Sequence, residues 1–140
     1  MAFRLIKEKN PVNDEVKVPF IITMLGSGFF IGFIPVASGT FGSLIGLGLY
    51  LMPKMSEFYY LSLLLVLVFL IGIFCAEKMR GRYGEDPPQV IIDEVAGQLF
   101  TYLVGSVVFE LFFPFKSFDP ATAFDTKLVF GIIGFFLFRF

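Results

Sequence analysis

The sequence contains no histidine, and its one cysteine is Cys75. Without histidine, imidazole catalysis and histidine metal ligation are excluded. One cysteine cannot form a disulfide within the chain, and Cys75 lies inside an apolar run where a nucleophilic thiolate is disfavoured. The remaining groups that could carry chemistry are carboxylates, hydroxyls and backbone amides.

Charge is also scarce, since charged residues make up 16% of the chain and the net charge is −1. No basic run is interleaved with aromatic residues, so the electrostatic footprint of nucleic-acid binding is missing and nucleic acid is not an expected partner. Hydrophobic residues make up 56% of the 140 residues, more than the roughly 45–50% of soluble domains. The composition therefore predicts an integral membrane protein of one domain.

Three uncharged apolar runs are candidate helices. The N-terminal residues mix both charge signs before any apolar run, which is unlike a cleavable signal peptide, so insertion must rely on these internal segments. The strongest run, Phe58 to Ala76, has 19 uncharged residues, about the length that a helix needs to cross ~30 Å of hydrocarbon. The other two runs are Val95 to Phe109 and Leu128 to Phe138.

The apolar region from Val18 to Met52 is interrupted at Gly26–Gly28 and again at Pro35–Ser43. Irregular backbone at membrane depth must be buried in protein or line a polar cavity, because lipid cannot satisfy its amides and carbonyls. We therefore predict an all-α polytopic membrane helical bundle with short or re-entrant helices, in which Pro19 to Ile34 forms a re-entrant hairpin. If the two clearest spans cross in opposite directions, Pro35–Ser43 shares a face with residues 77–94.

Orientation is predicted from the cations on each face. Three follow the strongest span directly and three lie on the opposite face: Lys78, Arg80 and Arg82 against Lys54, Lys116 and Lys127. The equal count is decided by the tight clustering of the first trio and by the cations of the N-terminus. We expect a multi-pass protein of the cytoplasmic membrane, with the face of residues 77–94 towards the cytoplasm.

The stretch DPPQVIIDEVAGQ, residues 86–98, holds the most informative carboxylates. Asp86 precedes two prolines and Gln89, the pattern of a helix cap, and it also lies where it could reach a metal at the helix mouth. Asp93 and Glu94 lie further inside, where capping cannot explain them. An acid at the bilayer centre costs about 2.5–3.5 kcal/mol, so these two must be paired or ligating near the interface.

Neighbouring residues on a helix point about 100° apart, so Asp93 shares a face with Gly97 and Glu94 shares one with Gln98, which could orient it. Several carboxylates without histidine or thiolate suit a hard cation such as Mg²⁺. The candidate metal ligands are Glu77, Asp86, Asp93 and Glu94. The alternative is a set of interfacial acids paired with the cations that follow the strongest span.

The glycine-rich loop is the second candidate site. Gly39 and Gly42 permit close backbone approach, Ser38 or Thr40 could cap the following helix, and Ser43 adds a hydroxyl. Amides at a helix start bind phosphate readily, although such a glycine-rich start more often serves close helix packing, as Gly42 and Gly46 could provide. Because the chain lacks histidine and an Asp-x-Asp motif, phosphate chemistry would require metal-assisted attack by water, with a free carboxylate accepting the proton.

Taken together, these motifs resemble the phosphatidylglycerophosphatase A family of Mg²⁺-dependent membrane enzymes, which remove the terminal phosphate of phosphatidylglycerophosphate. The matching segments are GSG at 26–28, PVASGTFGSL at 35–44, CAE at 75–77 and DPPQVIIDEVAGQ at 86–98. The resemblance implies a lipid phosphatase with a phospholipid substrate and a Mg²⁺ cofactor. It implies catalytic roles for Asp93 and Glu94, metal binding by these two with Glu77 and Asp86, and phosphate contacts by Ser38, Gly39, Thr40, Gly42 and Ser43.

Two positions depart from the family pattern. Ser38 occupies a position often filled by proline, which should change the stiffness of the loop. Leu137–Phe140 looks like the start of a family segment that continues with an Asp and a Lys-Pro pair, so we expect residues 1–140 to be a single domain truncated at its C-terminus. Two other readings stay open: a small cation-binding or transport subunit, and a helical assembly factor. A homo-oligomer is compatible with each reading.

Overall fold

A computed structural model describes residues 11–85, 87–112 and 123–139. No strand occurs in these residues, which confirms the predicted all-α class. The helices are α1 (Phe20–Gly26), a short 3₁₀ helix (Ile31–Phe33), α2 (Ser38–Leu51), α3 (Phe58–Tyr83), α4 (Ile92–Phe112) and α5 (Ala123–Arg139).

Two of these helices, α3 and α4, are long and apolar enough to cross a membrane. Of the most apolar 18-residue stretch of each helix, only 17% is buried inside the protein in α3 and 28% in α4. A core helix of a soluble protein would be covered by its own fold, whereas these helices leave most of their apolar surface uncovered. The two helices are therefore consistent with a membrane protein.

The central helix is α4, which packs against α2, α3 and α5. Gly42 and Gly46 of α2 face it so closely that an added Cβ would lie 2.8 Å from the Cβ of Glu94 and of Gln98 respectively. The predicted close packing of these glycines is confirmed. Because α2 and α4 both begin where α3 and α5 end, one end of the bundle carries Ser38 and Arg139, and we call it the Ser38 end.

The hairpin predicted for Pro19 to Ile34 turns at the expected place. Helix α1 ends at Gly26, which lies against Met79 and Cys75 of α3, and the Gly26 carbonyl accepts a hydrogen bond of 3.0 Å from the Ile91 amide. The chain then reverses through Gly28, which has a φ of +56°. The hairpin thus packs beside the Ser38 end, where it supports the start of α4.

Aromatic contacts tie α2, α4 and α5 together nearer the opposite end. The rings of Tyr50 and Tyr102 stack with their centroids 4.3 Å apart, and the Tyr102 hydroxyl donates to the Gly131 carbonyl at 2.9 Å. At the end of α2, the Lys127 ammonium donates to the Met52 carbonyl at 2.7 Å. These contacts fix α5 against α2 along its length, and so determine where Arg139 lies.

Candidate functional site

The structure brings Glu94 to the start of α2. Its Oε1 lies 2.7 Å from the position that a Cβ of Gly39 would take, and Gly42 makes room for the Glu94 Cβ. The predicted meeting of the glycine-rich loop with the carboxylates is therefore observed for Glu94. A side chain at position 39 would occupy the space of this carboxylate, which is why glycine is needed there.

Helix α2 begins without a side-chain cap. Ala37, with a φ of 53°, is the N-cap residue, and its carbonyl accepts hydrogen bonds from the Thr40 and Phe41 amides. The prediction that Ser38 or Thr40 caps this helix is wrong, because the helix already includes both residues. The amides of Ser38 and Gly39, like those of any first turn, have no carbonyl one turn earlier within the helix. These amides lie at the positive end of the α2 helix dipole.

Arg139, at the end of α5, completes this group of residues. Its Nε donates to the Thr40 Oγ1 at 2.8 Å, across 99 residues of sequence. Its Nη1 lies 3.1 Å from the same Gly39 Cβ position that the Glu94 carboxylate approaches. A guanidinium and a carboxylate thus meet above Gly39, yet these two described residues form no ion pair within 4.0 Å.

Arg139 is not among the functional residues predicted from the sequence. The sequence feature that could have indicated Arg139 is a cation at the end of an otherwise uncharged apolar run, since ionisable residues within such runs are often functional. The contact with Thr40 depends on α5 folding back against α2, and no local pattern reports that arrangement.

Asp93 faces a different surface from Glu94, as the helical offset predicts. It is exposed and lines a groove of about 600 Å³ between α3 and α4. The other lining residues, which include Ala76, Ala96 and Phe100, are apolar or glycine. Gly97 also lines the groove, but the space that its missing side chain leaves is taken by the ring of Phe138.

The two serines of the glycine-rich loop are buried. Ser43 is fully buried, and its hydroxyl donates to the Gly39 carbonyl at 3.1 Å, so it supports the start of α2 from within. Ser38 is 4% exposed. Of the predicted phosphate-side residues, Gly39 and Thr40 lie nearest the charged groups of Glu94 and Arg139.

Gln98 was expected to orient Glu94, and the structure does not support this role. Gln98 is fully buried beside Gly46 and near Tyr102, and neither of its amide atoms makes a hydrogen bond of good geometry with the described residues. The Tyr102 hydroxyl donates to the Gly131 carbonyl instead. The Glu94 side chain is held by packing on the glycines of α2 rather than by this amide.

The predicted cluster of carboxylates is not seen among the described residues. Glu77 is exposed on α3, and no group of three acidic, cysteine or histidine side chains in the described ranges could hold a metal. Asp86 lies outside the described residues. The part of the site that the structure describes therefore offers Glu94, with Asp93 one residue before it.

The cations after the strongest span do not neutralise these acids. Arg80 pairs with Glu85 at 3.4 Å and Arg82 with Asp14 at 3.6 Å, both near the protein surface. Lys78 lies over the ring of Phe74, 5.8 Å from its centroid. The alternative of acids paired with these three cations is therefore not seen for Asp93 or Glu94 among the described residues.

Comparison with known proteins supports a relationship already implied by the motifs. The family described as phosphatidylglycerophosphatase A matches residues 24–140. A curated protein of Bacteroides thetaiotaomicron named "Putative phosphatidylinositol-3-phosphatase" is 39% identical over 83 residues, which cover 56% of this chain and 52% of that protein. The match thus spans about half the length of this relative, and no solved structure matches. Because the family match covers nearly the whole chain, the chain belongs to the phosphatidylglycerophosphatase A family.

Proposed function

We propose that this protein is a membrane lipid phosphatase that hydrolyses phosphatidylglycerophosphate to phosphatidylglycerol and inorganic phosphate. The observation that carries the proposal is the position of the Glu94 carboxylate at the start of α2, beside the Thr40–Arg139 hydrogen bond. A carboxylate base next to anion-binding groups is the combination that hydrolysis of a phosphomonoester needs. Family membership supports the same activity.

In the proposed reaction, a water molecule attacks the phosphorus while Glu94 takes one of its protons. The bond between phosphorus and the lipid oxygen breaks, and the proton passes to that oxygen to give the alcohol. The amides at the start of α2 and the Arg139 guanidinium stabilise the charge that develops on the phosphoryl oxygens. Gly39 allows all three groups to reach the same small volume.

The described donors fit a magnesium ion, although they do not fit a cage built only from protein ligands. Mg²⁺ in phosphoryl-transfer sites is usually held by one or two carboxylates, by water and by the substrate phosphate. Glu94 supplies one such carboxylate at the start of α2, whereas Asp93 lines the groove between α3 and α4. Bound there, Mg²⁺ would offset the negative charge of the phosphate.

We further propose a multi-pass arrangement in the cytoplasmic membrane, with the Ser38 end at the cytoplasmic surface. This end carries Arg80 and Arg82 at the end of α3 and Arg139 at the end of α5, and cations favour the cytoplasmic side. The groove between α3 and α4 is lined by apolar side chains and reaches Asp93 at this end. An acyl chain lying in the groove would keep a lipid headgroup at the level of the site.

The test is release of inorganic phosphate by the full chain in lipid–detergent micelles. Phosphatidylglycerophosphate and phosphatidylinositol 3-phosphate are compared, since the relative is named for the second lipid. We expect phosphatidylglycerophosphate to be the better substrate, with activity lost in EDTA, restored by Mg²⁺ and absent in the Glu94→Gln variant. EDTA-insensitive release would refute the metal requirement. No release from either lipid, together with tight divalent-cation binding, would favour a cation-binding or transport subunit.

A further inference from the structure

We propose that Arg139 is the residue that binds the phosphate group to be removed, and that Thr40 positions it. This inference rests on the proposed phosphatase function and assigns a substrate-binding role to a residue outside the acidic and glycine-rich motifs. The inference is based on the contacts between Arg139 and α2. The group that Arg139 would bind is a terminal phosphomonoester.

The guanidinium is held at one nitrogen, and no described residue accepts a hydrogen bond from the other two. Nε donates to the Thr40 Oγ1 at 2.8 Å, which fixes the plane of the group. Nη1 lies above Gly39, where no side chain separates it from the start of α2. Arginine binds phosphate through two parallel N–H donors, so a guanidinium anchored at Nε still presents donors suited to that geometry.

The charge of Arg139 is not neutralised by a described acid. Glu94 approaches the same Gly39 Cβ position without forming an ion pair, and the ion pairs of the described ranges involve Arg80 and Arg82 instead. Keeping a partly buried cation and a partly buried acid close together without pairing them is costly unless a ligand contacts both. A phosphate can accept from the guanidinium while the carboxylate stays free to take a proton.

Thr40 adds a second polar group to this arrangement. Its hydroxyl oxygen accepts from Arg139, and its own proton is donated to no described residue. A hydroxyl can donate one hydrogen bond while it accepts others, so Thr40 can position Arg139 and donate to the same phosphate. The pair would therefore contact two oxygens of one phosphate group.

The simpler explanation is that Arg139 only complements the dipole at the end of α5. Any cation in the last turn would serve that purpose, including lysine, without a specific contact to another helix. The directed hydrogen bond from Nε to α2 has no role in that explanation. The Arg139→Lys variant therefore distinguishes the two explanations, because lysine keeps the positive charge but lacks the planar guanidinium with its parallel N–H donors.

A monoester fits this site better than a diester. A terminal phosphate carries about 1.5 to 2 negative charges and three accepting oxygens, whereas a phosphodiester carries one charge and two such oxygens. A terminal phosphate presents a third accepting oxygen and more negative charge to Arg139, Thr40 and the first amides of α2. We therefore expect the site to select the terminal phosphate of a lipid over its internal diester.

The experiment compares the wild type with Arg139→Lys, Thr40→Val and Arg80→Gln. Arg80→Gln is the matched control, because it removes a cation from the same end of the bundle without touching the site. We expect Arg139→Lys to raise KM, and the inhibition constant of inorganic phosphate, by about tenfold or more, with a smaller loss in kcat. Thr40→Val removes the accepting hydroxyl and should raise the same two constants, by a smaller factor than Arg139→Lys.

Wild-type values of KM and of phosphate inhibition in Arg139→Lys would overturn the proposal. A uniform loss of kcat and of thermal stability, with the phosphate inhibition constant unchanged, would assign Arg139 a structural role and also overturn it. If the wild type releases no phosphate from any lipid, binding of inorganic phosphate is measured directly by phosphorus NMR. Binding that Arg139→Lys weakens would then support the phosphate site although the proposed reaction fails, and absence of binding to the wild type would refute both.

Discussion

Replacing Gly39 with alanine tests the geometry of the site without removing any of its functional groups. The new Cβ would lie 2.7 Å from the Glu94 Oε1 and 3.1 Å from the Arg139 Nη1, so both charged groups must move away. Gly39 does not have a positive φ, and alanine suits a helix as well as glycine or better. We therefore expect the stability of Gly39→Ala to stay within about 1 kcal/mol of the wild type.

The expected loss falls on activity instead. A displacement of about 1 Å in a reacting group can lower the rate by about a hundredfold. Relief of the two contacts needs only part of that movement, so we expect kcat/KM to fall by about ten- to a hundredfold, or about 1.4–2.8 kcal/mol of transition-state stabilisation. Release of inorganic phosphate from micellar substrate gives kcat/KM, and thermal unfolding in the same detergent gives the stability.

Gly48→Ala is the matched control. Gly48 lies in the same helix, and an added Cβ there meets no atom within 4 Å. This variant should keep wild-type activity and be as stable as the wild type or slightly more stable. Full activity of Gly39→Ala would show that Glu94 and Arg139 are not needed where the structure places them. Equal losses of activity and stability in Gly39→Ala would indicate damage to the fold rather than to the site.

Three further predictions follow from neighbouring contacts. Glu94→Gln should lower phosphate release at least a hundredfold, because the amide cannot take a proton; Asp93→Asn should lose less, and full turnover by it would remove Asp93 from the catalytic residues. Ala76→Phe, which fills the groove, should raise KM for long-chain lipids but not for dihexanoyl lipids. The control Leu70→Phe, exposed on the same helix, should leave both KM values unchanged. Equal effects of Ala76→Phe on both chain lengths would contradict a groove that holds an acyl chain. Gly46→Val should cost about 1–3 kcal/mol of unfolding free energy by overpacking against the Cβ of Gln98, and an unchanged melting temperature in detergent would contradict that close contact.

Much of the fold was predictable from the sequence because membrane helices are constrained by length and polarity. The uncharged run from Phe58 predicted α3, and the glycines at 26–28 marked the turn of the hairpin. The boundaries were less accurate, since α3 continues to Tyr83 through charged residues that remain helical. Apolarity reports where a helix lies in lipid, whereas capping and packing determine where it ends.

The candidate site was predictable only in part. The sequence predicted that the glycine-rich loop and the acidic pair lie on one face. Which of the two acids contacts the loop depends on the rotation of α4 about its axis, and in the structure it is Glu94. Glu77 could not be excluded from the cluster because its distance from the site depends on how α3 packs against α4. Arg139 was missed because its contact joins residues 99 positions apart.

The charges of the site also bear on the proposed need for a metal ion. Glu94 and Arg139 carry opposite charges, so the part of the site above Gly39 is close to neutral before substrate binds. A phosphomonoester would bring about 1.5 to 2 negative charges to a place partly shielded from water, where uncompensated charge is costly. Arg139 can offset only one of them, while the Glu94 carboxylate adds a negative charge of its own. A divalent cation arriving with the phosphate would restore neutrality, which is why we expect EDTA to lower activity even though, among the described residues, Glu94 alone brings a carboxylate to the start of α2.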